Sequence, residues 1–215
     1  MKITRLGHSC LLIEEGSSRM LIDPGSYSDS EKISSLGDLS AVFYTHEHQD
    51  HIDPALTTKL LAKQNNLVVY ANSGAGKILA EKRIKFNLFE NGTKINVAGM
   101  DVLGVGSDHL ILHSEWPMCA NTGVMINSRF FYPGDALTIP PVQVQVLALP
   151  VSGPWLNIGQ AIDYAIKVAP KLAFPIHDGM LKDDRLGSAH RMPDVILPKH
   201  GIEFRALLSG ETIEI

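Results

Sequence analysis

The stretch Ala41-Val42-Phe43-Tyr44-Thr45-His46-Glu47-His48-Gln49-Asp50-His51-Ile52-Asp53-Pro54 decides the reading of this chain. Its first four residues form an apolar run, the pattern of a buried strand. Its middle packs four potential metal ligands, His46, His48, Asp50 and His51, into six positions. Imidazole is the commonest protein ligand for zinc-like ions, and a carboxylate oxygen is its usual companion. One histidine would be an ordinary core or surface residue; three with an aspartate between them are hard to explain structurally. The stretch closes on Asp53, a candidate helix N-cap, with Pro54 in the first turn. A strand, a ligand-bearing loop and a helix follow one another without a break.

Upstream of this stretch the chain reads as a strand meander. Ile3-Thr4-Arg5-Leu6, Cys10-Leu11-Leu12-Ile13 and Met20-Leu21-Ile22 are candidate strands, separated by Gly7-His8-Ser9 and by a turn at Glu15-Gly16. Residues 26–40, rich in Ser, Asp and Gly, read as a loop. Downstream, a helix is expected near 54–64 with Leu56, Leu60 and Leu61 on one side, then a strand at Leu67-Val68-Val69-Tyr70. A short helix from Ser73 to Arg83 takes Ser73 as its cap. Two hairpins follow, one around Ala98-Gly99 and one turning at Asn127-Ser128. Residues 144–149 read as a buried strand. Ile158, Ala161, Ile162, Ala165, Ile166 and Ala169 then trace one helical stripe, with Asn157 as cap and Pro170 past the end. Leu172-Ala173-Phe174-Pro175-Ile176 is another strand, and the segments near 204–207 and 212–215 are expected to close the sheet.

Composition narrows the class. The chain has 215 residues, 45% hydrophobic and 20% charged, which suits a single domain over 1–215. A net charge of -4 without long runs of one sign argues against a nucleic-acid partner, which leaves a basic stripe. The N-terminus lacks the apolar core of a signal peptide, and no apolar run reaches the length of a membrane span, so a cytoplasmic location is expected. Cys10 and Cys119 read as reduced thiols.

The pattern H-x-H-x-D-H resembles the signature of the metallo-β-lactamase superfamily. In that family the first two histidines serve one metal, and the aspartate and last histidine a second. Strand meanders with one-sided helices in each half suggest two facing sheets with helices outside. That four-layer αββα sandwich is also what the resemblance implies; pattern alone reaches only α/β or α+β. Phe130-Phe131-Tyr132-Pro133-Gly134-Asp135 runs an apolar strand into Gly-Asp, where the family places an aspartate bridging both metals; in isolation Asp135 reads equally as a turn residue. His177, after Phe174-Pro175-Ile176, resembles the late histidine that completes the second metal. Asp178 beside it suits either an orienting role or a turn. The third ligand of the first metal is His109 or His113; His109 is favoured because it follows a strand and a short turn, with His113 then near the mouth of the site. Gly7-His8-Ser9-Cys10 and Ile22-Asp23-Pro24-Gly25 resemble elements of a subgroup that includes ascorbate-6-phosphate lactonase-like proteins, as does the loop Pro150 to Trp155. In this reading Asp23 hydrogen-bonds a ligand from beneath, His8 lines the site or is a turn histidine, and Trp155 walls the pocket or is simply buried.

The resemblance implies a metal-dependent hydrolase. Two divalent ions about 3.5–4 Å apart lower the pKa of a shared water towards 7. Zinc is the default, and the mixed nitrogen and oxygen donors also admit manganese, iron or nickel. Asp50 and Asp135 carry the catalytic roles, orienting the nucleophile and bridging the ions. The expected substrate is a small ester, lactone or phosphodiester; a homo-oligomer is compatible with the sequence. Two other classes compete: a di-iron redox protein, for which no flavin-binding partner domain is present, and a non-catalytic metal-binding protein.

Overall fold

The computed structural model describes residues 1–215, apart from the side chain of Asp183. Six strands of the first half come in chain order: β1 (Lys2–Arg5), β2 (Leu11–Glu15), β3 (Ser18–Ile22), β4 (Ala41–Tyr44), β5 (Val68–Ala71) and β6 (Asn87–Leu88). Seven of the second follow: β7 (Lys94–Val97), β8 (Met100–Val105), β9 (Gly123–Ile126), β10 (Phe130–Tyr132), β11 (Val146–Pro150), β12 (Leu172–Ile176) and β13 (Glu203–Phe204). The last strand, β14 (Thr212–Glu214), returns to pair with β1. The two sheets have orders β14-β1-β2-β3-β4-β5-β6 and β13-β12-β11-β10-β9-β8-β7. Each begins as an antiparallel meander and continues in parallel, from β3 to β6 in the first and from β10 to β13 in the second.

Period-two burial explains the layers. From β4, Ala41 and Phe43 face the opposing sheet, where Phe130, Tyr132, Ala148 and Phe174 meet them. Val42 and Tyr44 face outward into a second cluster with Leu56, Leu60, Ala75 and Leu79. Those come from helices α2 (Pro54–Lys63) and α3 (Ser73–Glu81); the shorter α1 (Ser30–Ser34) adds Ile33. Helices α4 (Ile158–Val168) and α5 (Gly187–Ile196) cover the second sheet, with Ala161, Ile162, Ala165 and Ala189 against Phe131, Leu147 and Ala173. The architecture is the expected four-layer αββα sandwich. Both faces of β4, β11 and β12 are covered, and all their residues are buried, as unbroken apolar runs in parallel strands should be.

Local chemistry sets the element ends. Asp53 accepts from the Ala55 and Leu56 amides at 2.8 and 3.0 Å to start α2. Asn157 and Gln160 form a reciprocal capping box on α4. The turn at Asn127-Ser128 has φ of 50° and 51°, as a two-residue hairpin turn with matching twist requires.

Three expectations are corrected, and one helix was not anticipated. Asn72, not Ser73, caps α3, accepting from Ala75 at 2.9 Å. The loop at 26–40 contains α1, capped by Asp29. The closing strands belong to different sheets, β13 beside β12 and β14 beside β1, and Leu207 lies outside any strand. Helix α5 shows no stripe clear enough to read, because Gly187 opens it and Pro193 lies inside it.

Candidate metal centre

The ligand loop leaves β4 with its geometry already set. Thr45 donates from its amide to Asp23 Oδ1 at 2.8 Å and from its hydroxyl to Asp23 Oδ2 at 2.5 Å, tying the ends of β3 and β4 together. The His51 and Ile52 amides both donate to the His48 carbonyl, at 2.9 and 3.0 Å, closing a tight turn. Gly25 packs against this turn so closely that a Cβ there would overlap the Asp50 carbonyl. The sequence Ile22-Asp23-Pro24-Gly25 is therefore the floor of the loop.

The second sheet delivers its ligands one at a time. After β10, Gly134 takes φ of 67° and Asp135 follows. The buried Asn121 side chain holds this corner, accepting from the Asp135 amide at 3.0 Å and donating to the Pro133 carbonyl at 2.8 Å. At the end of β12, His177 itself adopts φ of 63°, a left-handed conformation costly for a residue with a Cβ. Its amide donates to the His8 carbonyl at 2.9 Å, which joins the two sheets at this point. His109 stands just beyond β8, its amide donating to the Cys119 carbonyl at 3.1 Å. Every one of these residues lies beyond a strand's carboxyl end, the usual place for sites on sheets of this kind.

Seven side chains from 46 to 177, Asp135 among them, converge here. Asp135 Oδ2 lies 3.6 Å from His46 Nε2, 3.4 Å from His109 Nε2 and 3.0 Å from His177 Nε2, and its Oδ1 lies 3.1 Å from His51 Nε2. Two four-residue donor groups result, His46, His48, His109 and Asp135, and His8, Asp50, His51 and His177; a third, Asp23, His46 and His51, overlaps both. Within each, one ligand atom per residue lies within 4.8 Å of the others.

The donors fit metal ions rather than one another. Buried polar atoms normally have hydrogen-bond partners. Here His46 Nε2, His109 Nε2, both ring nitrogens of His177, His8 Nε2 and Asp135 Oδ1 are buried without one, despite their proximity. The far side of each ring explains the orientation. Thr45 Oγ1, whose own proton goes to Asp23, sits 3.0 Å from His46 Nδ1 and accepts from it. His51 Nδ1 donates to Asp23 Oδ2 at 2.7 Å, and His109 Nδ1 donates to the Leu110 carbonyl at 2.6 Å. Each contact keeps a proton on Nδ1 and turns Nε2 toward the centre, the orientation metal-binding imidazoles require. His8 differs. Its Nδ1 accepts from the Gly179 amide at 2.9 Å, so in the neutral ring the proton is on Nε2, 3.3 Å from Asp50 Oδ2. In this tautomer His8 turns an N–H rather than a lone pair toward Asp50, without closing a hydrogen bond to it.

Electrostatics agree. Burial holds His46, His48 and His8 below the ordinary imidazole range, favouring neutral rings. Burial alone would raise the Asp135 carboxyl, but His177, His51 and His46 outweigh it and hold the carboxyl well below its usual value. Burial likewise opposes charge on His177, yet Asp135 lifts it to about 9. Protons on His51 and His177 thus balance the carboxylates in the metal-free chain, and a bound metal would have to displace them.

The remaining expected residues separate clearly. Asp23 is fully buried beneath the loop, where it also accepts from the Tyr132 hydroxyl at 2.9 Å. Trp155 is buried and packs edge-on against the His109 and His177 rings, at centroid distances of 5.4 and 5.2 Å, so it walls the site. His113 is exposed, outside both donor groups, and accepts from the Glu115 amide at 3.2 Å; the segment after His109 is not extended, so the two histidines do not share a face. Asp178 is not aimed at the centre. It pairs with the buried Arg5 guanidinium and accepts from His190 Nε2 at 2.7 Å, which anchors the backbone next to the strained His177. Sequence reasoning missed Arg5, Asn121 and His190. No local signal marks them, because each acts on a residue brought near only by sheet pairing. Cys10 and Cys119 are both free thiols, and Cys119 Sγ lies 3.8 Å from His48 Nε2.

Comparison with known proteins gives the same picture. A family profile described as a beta-lactamase superfamily domain matches residues 2–177. Protein Rv0786c of Mycobacterium tuberculosis is 36% identical over 87% of this chain and 88% of its own. A protein of Alkaliphilus metalliredigens named a UPF0173 metal-dependent hydrolase is 25% identical over 82% of this chain and 85% of its own. Among solved structures, a candidate metal-dependent hydrolase of Parabacteroides distasonis superposes with a TM-score of 0.75 at 24% identity, covering 95% of this chain and 91% of that one.

Proposed function

The chain belongs to the beta-lactamase superfamily, and on that premise we propose that it is a metal-dependent hydrolase of small esters, lactones or phosphodiesters, working with two divalent ions. The observation that carries this reading is the set of buried, partnerless ring nitrogens gathered around one carboxylate. His46, His48 and His109 would hold one ion and Asp50, His51 and His177 the other, with Asp135 within reach of both sets. Bound there, the ions supply a water made acidic enough to ionise near neutral pH and a Lewis acid for the substrate's carbonyl or phosphoryl oxygen.

The chain's own residues do the rest. Asp50, half-buried on the open side, would orient the attacking water by accepting a hydrogen bond from it. His8 turns its Nε2 toward that carboxylate at 3.3 Å. Asp23 keeps His51 in the tautomer that exposes Nε2. Trp155 excludes bulk water from the side where the His109 and His177 rings meet. The Gly-His-Ser-Cys and Ile-Asp-Pro-Gly elements support a place near the ascorbate-6-phosphate lactonase-like subgroup. Zinc is the ion that the histidine-rich donor set favours.

The test is metal analysis of the purified protein, then a panel of lactones, thioesters and phosphodiesters with each ion restored after chelation. Hydrolysis that disappears on chelation and returns with zinc, manganese or nickel is the expected result. Metal uptake without hydrolysis of any member would leave a binding protein. An iron-dependent charge-transfer band with oxygen consumption would replace the reading with a redox one.

A further inference from the structure

The metal centre leaves one loop unexplained. Residues 106–122, between β8 and β9, carry Ile111, Leu112, Trp116 and Met118, exposed by 60%, 38%, 62% and 51%. Four large apolar side chains thus fall within eight residues of one irregular loop and are left in water. This loop is also fastened to the centre at both ends. It starts at His109, where the Leu110 amide donates to the Asp135 carbonyl at 2.9 Å. It ends at Cys119, beside the half-exposed His48. Met180, 63% exposed, stands three residues past His177 on another loop rooted at the centre.

Charge narrows the occupant. Residues 106–122 contain Asp108 and Glu115 but no lysine or arginine. A phosphate or nucleic-acid backbone would need cations there. An alkyl or acyl chain needs apolar surface alone. A second copy of this chain seated on the loop would close the side on which His48 and Asp50 remain open to solvent, the side a substrate has to enter.

We propose that the 110–118 loop is a subsite for the aliphatic acyl chain of a neutral ester or thioester whose carbonyl lies at the metal centre. The proposal rests on the hydrolase reading above and narrows its substrate class. Ile111, Leu112, Trp116 and Met118 supply the apolar surface for that chain.

The experiment uses the full chain loaded with metal and a series of p-nitrophenyl esters from acetate to decanoate. Removal of each methylene from water is worth roughly a two- to fourfold gain in kcat/KM until the loop is filled. Trp116→Ala combined with Ile111→Ser should flatten that gain for octanoate and decanoate while leaving the acetate ester unchanged. Separately, decanamide, which is not turned over on this timescale, should blue-shift the indole emission of the metal-free protein, and Trp116→Ala should abolish the shift. Equal kcat/KM along the series, or a chain-length gain that survives the double substitution, overturns the subsite while the hydrolase reading stands. Decanamide binding at Trp116 without hydrolysis of any ester overturns the ester and thioester substrate class, while the hydrolase reading is decided separately by the lactone and phosphodiester panel. A dimer by light scattering that Trp116→Ala dissolves overturns the proposal in favour of a second copy as the occupant.

Discussion

The loop after β4 and the ends of β10 and β12 offer the same kind of ligand by opposite means. Residues 46–51 carry four donors on one turn, held by backbone hydrogen bonds within the turn and by Asp23 beneath it. Asp135 and His177 arrive singly, and each depends on a distant side chain. Asn121 seats the first, and the Arg5–Asp178–His190 group steadies the backbone of the second. A contiguous cluster can be built by one local turn, whereas a dispersed set needs the two sheets to meet correctly. The first arrangement should therefore tolerate damage elsewhere in the fold, and the second should transmit it.

Asp135→Ala tests the dispersed side most severely. Asp135 lies within 3.6 Å of His46, His51, His109 and His177. Its loss should bring metal content to background and reduce hydrolysis by more than the roughly 10–100-fold typical of losing an outer partner. Full metal content by elemental analysis in this variant would reject its central place. His8→Ala separates donor from ligand at the junction of the sheets. With an N–H of His8 turned toward Asp50, metal content stays near the parent value while kcat/KM falls about 10–100-fold. Metal lost in step with activity would instead make His8 a fourth ligand of its group.

Asp178→Asn should have the smallest effect on turnover but a clear one on stability. It leaves the Arg5 guanidinium buried without its carboxylate, a change that costs about 3–5 kcal/mol. Denaturant unfolding of the chelated protein measures it. Burial alone would raise the Asp178 carboxyl, but the His190 hydrogen bond and the Arg5 charge hold it below the ordinary range. A depressed carboxyl stabilises the fold above its unfolded pKa of about 3.9 and loses that contribution as the pH falls through the lower folded value. Parent and variant should therefore differ fully at neutral pH and converge in acid. A constant difference across that range would show that the ion pair is not its source.

The same contrast governs what could be read in advance. Helix α4 was legible because its stripe and its Asn157–Gln160 cap are local. Helix α5 was not, because Gly187 and Pro193 run against helical propensity and only packing on the second sheet settles it. Asp135 and His177 could be anticipated by their order after apolar strands, yet nothing local distinguished Asp135 from a turn aspartate. Asp178 suited an orienting role and a turn equally until its partners from β1 and α5 came into view.

The amino-acid order alone determined the ligand types, the tight spacing of His46, His48, Asp50 and His51, and the alternation of buried strands with one-sided helices. These follow from periodicity and side-chain chemistry within a few residues. Only the tertiary structure decided that His109 rather than His113 enters the centre, that His8 points a proton at Asp50, and that Asp178 belongs to Arg5 and His190. Those choices depend on which strand ends lie side by side, and pairing between strands far apart in the chain leaves no mark on any one stretch of it.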